Sequence, residues 1–289
     1  MPKTIQFKGA PMTLIGRSLK AGDNAPGFRA ISADLKEITL SEFKPGIKII
    51  TSFLSLDTPV CDLQVKEFNR KAVSFSSGLA VLGISKDLPF AQKRFCGENN
   101  INNLTLLSDY KYSSFGINYG LLVKEMNLLA RSIFILDKNN TVRYVQIVKE
   151  LTDAPDYEDA LKNLEKVIDN PVVSLKEEVP LKCKPCEGGV PALAKEKIGG
   201  LITRSAGWQL VEDPGKADRI IKEFKFRDFV EAKYFLDLVS LIAEEQAHHP
   251  VLTLIYNKLK VSLTTHAAGG LTENDFIMAE LLNKSYESF

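Results

Sequence analysis

Histidine is scarce in this chain: there are three in 289 residues, and all fall between His248 and His266. Tryptophan occurs once and cysteine four times. Neither charge is in excess, with 37 Lys plus Arg against 36 Asp plus Glu, so no basic surface advertises nucleic acid or a membrane. No run approaches the ~18 apolar residues of a membrane span. The opening MPKTIQFKGAPM has no apolar signal core and no small-residue cleavage site, and a cytoplasmic protein is expected. In a reducing cytosol, Cys61, Cys96, Cys183 and Cys186 are not a structural disulfide framework. Catalysis, redox cycling, metal binding or plain burial are then the alternatives.

What is present is ordinary globular composition, 45% hydrophobic and 25% charged, at a length that favours two domains over one. Up to about residue 168, strand and helix patterns alternate. IKIITSFLSL and LAVLGIS read as strands, while 61–73 and PFAQKRFC read as helices. RSIFILD and VRYVQIV pair around Lys138-Asn139-Asn140, and PDYEDALKNLEKVI closes with a helix. This order predicts an α/β core. DNPVVSLKEEVPLKCKPCEGG has no sustained periodicity. We therefore place a first domain at 1–170, a linker at 171–187 and a second domain at 188–289. The last part reads α-β-β-α-β-β-α, which predicts an α+β fold: an antiparallel four-stranded sheet with helices on one face. Its final helix opens at Thr272, with Asp275 placed to complete a capping box.

In SLDTPVCDLQVKEF, Asp57 or Thr58 can cap a helix, Pro59 suits its first turn, and Cys61 lies within that turn. Unsatisfied backbone N–H groups and the helix dipole there favour a thiolate. Position alone also fits a buried cysteine that happens to start a helix. Taken together, SLDTPVC, DLPFAQKRFCG, LLARSIFILD and APDYEDAL, spread over residues 1–168, resemble a thiol peroxidase, an atypical two-cysteine peroxiredoxin. The resemblance implies a thioredoxin-like fold, usually dimeric, that reduces hydroperoxides with thioredoxin as external electron donor. It makes Cys61 the peroxidatic cysteine and Cys96 the resolving one. Thr58 becomes the residue that hydrogen-bonds the peroxide, and Arg131 the residue that stabilises the thiolate. The family usually has proline seven residues before the peroxidatic cysteine, where this chain has Leu54. A sulfenic acid on Cys61 needs a second thiol before further peroxide over-oxidises it. A disulfide needs Cα atoms within ~7 Å, so Cys61 and Cys96 on separate helices are expected to meet through local unfolding of one helix end.

The three histidines suggest zinc, but neighbouring side chains such as those of His248 and His249 do not share one face. A His-Glu-x-x-His pair is also missing. General acid–base chemistry suits them better, with Glu244 four residues before His248 on the expected helix face. Each histidine taken alone also reads as a satisfied structural residue. The set Glu244, His248-His249-Pro250, Tyr256, Thr265-His266, Gly269-Gly270-Leu271-Thr272 and Asp275, with CKPCEGGVPAL and Trp208, resembles pterin-4a-carbinolamine dehydratase over 183–289. That resemblance implies dehydration of a 4a-hydroxytetrahydropterin to a quinonoid dihydropterin, with no metal and no bound cofactor. His248, His249 and His266 would line the pterin pocket, with Glu244 and Asp275 as its carboxylates. Both families self-associate, so a homo-oligomer, dimer or larger, is expected.

Cys183-Lys184-Pro185-Cys186 has no second pair of ligands for zinc. It reads either as a feature of the second domain or as a dithiol relay to a Cys61–Cys96 disulfide. Two alternatives to a pair of activities stand beside these readings. In one, the C-terminal domain is mainly an oligomerisation or protein-binding module. In the other, the N-terminal domain is a peroxide sensor.

Overall fold

The computed structural model describes residues 4–43, 46–73, 79–170, 182–184, 191–212 and 214–289. The chain divides into two units, Met1–Glu177 and Glu178–Phe289. Most of the expected linker, with Cys186, lies outside the described residues.

The first unit opens with a hairpin, β1 (Thr4–Phe7) and β2 (Ala10–Ile15), in register Phe7 to Ala10. Its two-residue turn has positive φ at Lys8 (52°) and Gly9 (78°), the conformation that matches the twist of the flanking strands. After β3 (Arg29–Ser32) and β4 (Glu37–Thr39) comes β5 (Ile47–Ser52), buried at every position. Its β-branched residues suit a strand covered on both faces. There follow α1 (Pro59–Ala72), β6 (Leu79–Ser85), α2 (Pro89–Asn99) and β7 (Thr105–Ser108). Short pieces α3 (Ser114–Asn118), β8 (Leu122–Val123) and β9 (Leu128–Leu129) lead to β10 (Ser132–Leu136), β11 (Val142–Ile147) and α4 (Tyr157–Asp169). The main sheet runs β11-β10-β5-β6-β7-β3-β4, with β5, β6 and β7 parallel and β10 antiparallel to β5. A smaller sheet runs β1-β2-β8-β9.

Two details differ from the sequence reading. The strand expected over IKIITSFLSL stops at Ser52, although Phe53, Leu54 and Leu56 stay buried. The chain turns there because Asp87, just after β6, accepts hydrogen bonds from the Ser55 hydroxyl (2.6 Å) and the Leu56 N–H (2.9 Å). The N-terminal hairpin and the short elements β3, β4, α3, β8 and β9 carry patterns too brief for period reading to separate from loop.

The second unit consists of α5 (Lys195–Arg204), β12 (Gln209–Val211), β13 (Arg219–Lys225), α6 (Phe229–Gln246), β14 (Val251–Ile255), β15 (Lys258–Leu263) and α7 (Glu273–Ser288). All pairings in its sheet, β12-β13-β15-β14, are antiparallel. Along β15, Leu259, Val261 and Leu263 are buried between exposed Lys258 and Lys260, so one face is covered by helix and the other meets water. Phe224, Phe226, Phe235 and Tyr286 interlock beneath α6 and α7, with ring centroids 5.0–5.6 Å apart. The α7 capping box is formed: Thr272 and Asp275 bond reciprocally. Among the described residues, no helix is long and apolar enough to cross a membrane.

Candidate active sites

The first site sits where β5 gives way to α1. Pro59 starts the helix without sacrificing a hydrogen bond, which leaves Cys61 as its third residue. Thr58 holds the N-cap position, but its hydroxyl donates to the Ser55 carbonyl (3.1 Å) and makes no side-chain cap. The cap expected from Thr58 is therefore positional, and the hydroxyl braces the loop instead. Asp57 lies outside the helix, 3.9 Å from Arg94. Cys61 is fully buried and receives the Arg131 Nη2–H at 3.4 Å.

Arg131 is 1% exposed. Its Nε and Nη2 donate to the Leu151 carbonyl (3.3 and 3.0 Å), and its Nη1 donates to Gln64 Oε1. Among the described residues, no carboxylate pairs with it. Its guanidinium therefore faces the sulfur at the N-terminal end of α1. Gln64 Nε2 in turn donates to Thr51 Oγ1 and to the Ser52 carbonyl (3.2 Å), and Thr51 Oγ1 donates to the Ser132 carbonyl (3.1 Å). One buried amide thus ties α1, β5 and the arginine together. Sequence reasoning missed Gln64. The available signal was its place three residues after Cys61, hence on the same helix face. Tyr157 borders the site, packed edge-on against Phe68, and burial pushes its hydroxyl up to about 12.

Cys96 lies on α2, half-buried, and burial pushes its thiol up. Among the described residues no disulfide is present, and Cys61 and Cys96 occupy different helices. Residue 54, where the resemblance led us to expect proline, is a buried leucine.

The second site gathers at Asp275. This fully buried carboxylate accepts from His248 Nε2 (2.8 Å), the Thr265 hydroxyl (2.8 Å) and the Thr272 N–H (2.7 Å). It thereby joins the end of α6, the end of β15 and the start of α7. His248 is 5% exposed, and donation from Nε2 fixes which tautomer its neutral form adopts. The pairing expected between Glu244 and His248 does not form. Helix α6 stops at Gln246, and Ala247 takes the left-handed region (φ 50°), so the i, i+4 geometry ends before it reaches His248. Glu244 meets His249 instead, at 3.2 Å, and both side chains are more than half exposed. His266 opens a short turn after β15 and is exposed. Among the described residues, no group of three His, Cys, Asp or Glu side chains is arranged to hold a metal ion.

Of the Cys-x-x-Cys, Cys183 is buried and Cys186 lies outside the described residues. The Cys183 N–H donates to Gln246 Oε1 (2.8 Å), and its thiol contacts the Asn274 carbonyl (3.7 Å). Lys184 and Asn274 exchange two hydrogen bonds (2.9 and 2.8 Å). This short segment is strapped across the end of α6, just before His248, and the start of α7, which carries Asp275.

Residues 20–161 match the Redoxin family and residues 191–285 the Pterin 4 alpha carbinolamine dehydratase family. A thiol peroxidase of Staphylococcus saprophyticus is 50% identical over 158 residues, covering 55% of this chain and 95% of that protein. The thiol peroxidase of Bacillus subtilis is 46% identical, covering 53% and 92%. Among solved structures, a peroxiredoxin-like protein from Aquifex aeolicus is 40% identical, covers 58% of this chain and 98% of that one, and superposes with a TM-score of 0.55. A transcriptional coactivator/pterin dehydratase from Brucella melitensis is 35% identical over 33% of this chain and 98% of its own, with a TM-score of 0.31.

Proposed function

The chain belongs to the thiol peroxidase family over its first unit and carries a pterin 4 alpha carbinolamine dehydratase domain at residues 191–285, and from that premise we propose a cytoplasmic enzyme with two activities. In the first, the Cys61 thiolate attacks the terminal oxygen of a hydroperoxide. The O–O bond breaks, the alkoxide leaves with a proton as alcohol or water, and Cys61 becomes a sulfenic acid. The Cys96 thiol condenses with it, water is lost, and thioredoxin reduces the resulting disulfide. The observation that carries this reading is the contact of Arg131 Nη2 with Cys61 Sγ, at 3.4 Å in a fully buried helix start.

In the second activity, the 4a-hydroxyl of a 4a-hydroxytetrahydropterin is protonated and leaves as water while the N5 proton is removed, giving the quinonoid dihydropterin. Proton transfers of this kind suit histidine. His248 held by Asp275 at 2.8 Å supports a fixed imidazole for one of them, and His249 and His266 are exposed to solvent, where a substrate can reach them.

Peptide mapping of the reduced protein after one equivalent of hydroperoxide, with remaining thiols blocked, tests the first activity. The expected product is a Cys61–Cys96 disulfide. An unoxidised Cys61 overturns the reading, and a bridge from either residue to Cys183 or Cys186 replaces it with a relay. Acceleration of carbinolamine dehydration by the same protein tests the second. Stoichiometric protein binding without that acceleration makes the unit a binding module instead.

A further inference from the structure

The arginine against the thiol is held by a part of the chain that the chemistry does not touch. Two of its N–H groups, on Nε and Nη2, converge on the Leu151 carbonyl. Leu151 is itself pinned: its N–H donates to the Gln6 carbonyl (2.8 Å), and the Gln6 N–H donates to the Lys149 carbonyl (2.6 Å). Between these two bonds sits Glu150, whose carboxylate reaches the tip of the N-terminal hairpin. Its Oε1 accepts the Lys8 N–H and its Oε2 the Gly9 N–H, both at 3.0 Å. Oε1 also accepts the N–H (3.1 Å) and the hydroxyl (2.8 Å) of Thr152. The left-handed φ values at Lys8 and Gly9 aim the two turn N–H groups at one carboxylate.

We propose that Glu150 is a positioning residue for the thiol chemistry. It clasps the β1–β2 turn to the segment whose Leu151 carbonyl aims Arg131 at Cys61. The argument rests on geometry. Hydrogen-bond strength falls steeply with angle, so the contact from Arg131 to the sulfur, at 3.4 Å, depends on where the guanidinium is aimed. A carbonyl that drifts takes the guanidinium with it. The donors on Glu150, led by the Gly9 N–H, pull its carboxyl down to about 2. Because its folded pKa is depressed, its contribution is complete above the unfolded value of about 4.3 and is lost only as pH falls through about 2. The clasp is therefore closed throughout the working range of an enzyme.

This inference rests on the peroxidase reading, and the test separates the two. In the full chain, iodoacetamide alkylation of the Cys61 peptide is followed by mass spectrometry against pH for wild type, Glu150→Gln and Thr152→Val. Oxidation of Cys61 by one equivalent of hydroperoxide is followed in parallel. Arg131 beside the thiol, Tyr157 at its border and Glu67, which acts on Tyr157, are the same in every variant. Glu150→Gln is expected to move the alkylation midpoint upward by about one pH unit and to slow oxidation about tenfold. Thr152→Val, which removes one donor, moves it less in the same direction. Simple electrostatics has the opposite sign, since deleting a nearby negative charge favours a thiolate and lowers the midpoint. A midpoint in folded Glu150→Gln that is unchanged or lowered overturns the clasp. If Glu150→Gln does not fold, Thr152→Val decides: an upward shift supports the clasp and no shift overturns it. Wild-type Cys61 that hydroperoxide leaves unoxidised overturns the peroxidase reading, and the clasp with it.

Discussion

The two units place their reactive groups in opposite relation to water. In the first, Cys61, Gln64 and Arg131 are all buried, and one guanidinium faces the sulfur among backbone carbonyls and an amide. In the second, only His248 and Asp275 are buried, and His249 and His266 stand in solvent. The difference follows from what each chemistry must hold. On the proposed peroxidase chemistry a thiolate has to be favoured before substrate arrives, and a fixed cation and helix dipole act most strongly away from water. On the proposed dehydration, His249 and His266 can trade protons with solvent, while His248, held by Asp275, acts from a fixed and enclosed position. Each site is nevertheless built round one neutral or anionic hub, Gln64 in one and Asp275 in the other, which joins three elements.

The sharpest way to break the comparison is Cys61→Ser. Hydroperoxide turnover with thioredoxin should fall to background while carbinolamine dehydration stays at the wild-type rate. Loss of both would mean that the sites are not separate. The converse, Asp275→Asn, should reduce dehydration by about 10²-fold or more through a misoriented His248, with hydroperoxide turnover retained; paired assays on one preparation decide it. Next in size is Arg131→Lys. Lysine has no planar fork to engage both the Leu151 carbonyl and the sulfur, so second-order oxidation of Cys61 should slow about tenfold to a hundredfold, as read by rapid quench. The smallest effect concerns Cys96. Burial raises its thiol, so little of it is thiolate at neutral pH. The step from sulfenic acid to disulfide should therefore accelerate from about pH 7 to about pH 9. A flat profile would remove Cys96 as the attacking group.

How much of each site was legible depended on sequence distance. Thr58, Pro59 and Cys61 could be read directly, because a helix start is a local event of a few residues. Asp275 was legible as a cap for the same reason, through its spacing from Thr272. Its bond to His248 spans 27 positions and was not. The Glu244 pairing failed at a helix end: a helix that ends at Gln246 instead of His248 rotates the imidazoles off the predicted face. Gln64 carried a visible spacing whose meaning depended on where Arg131 would arrive from β10's side of the sheet. Glu150 gave no local sign at all, since the turn it binds is 141 and 142 residues away.

By itself, then, the sequence determined two units, their longer elements, and the placing of Cys61 and Cys96 in one unit and all three histidines in the other. Hydrophobic period, caps and breakers act over the length of one element, and residue type sets the available chemistry. Tertiary structure alone decided which carboxylate orients which histidine, which carbonyl aims the arginine, and which reactive groups meet water. These are contacts between distant segments, and the register of strands and the last turn of each helix fix them only once the chain has closed on itself.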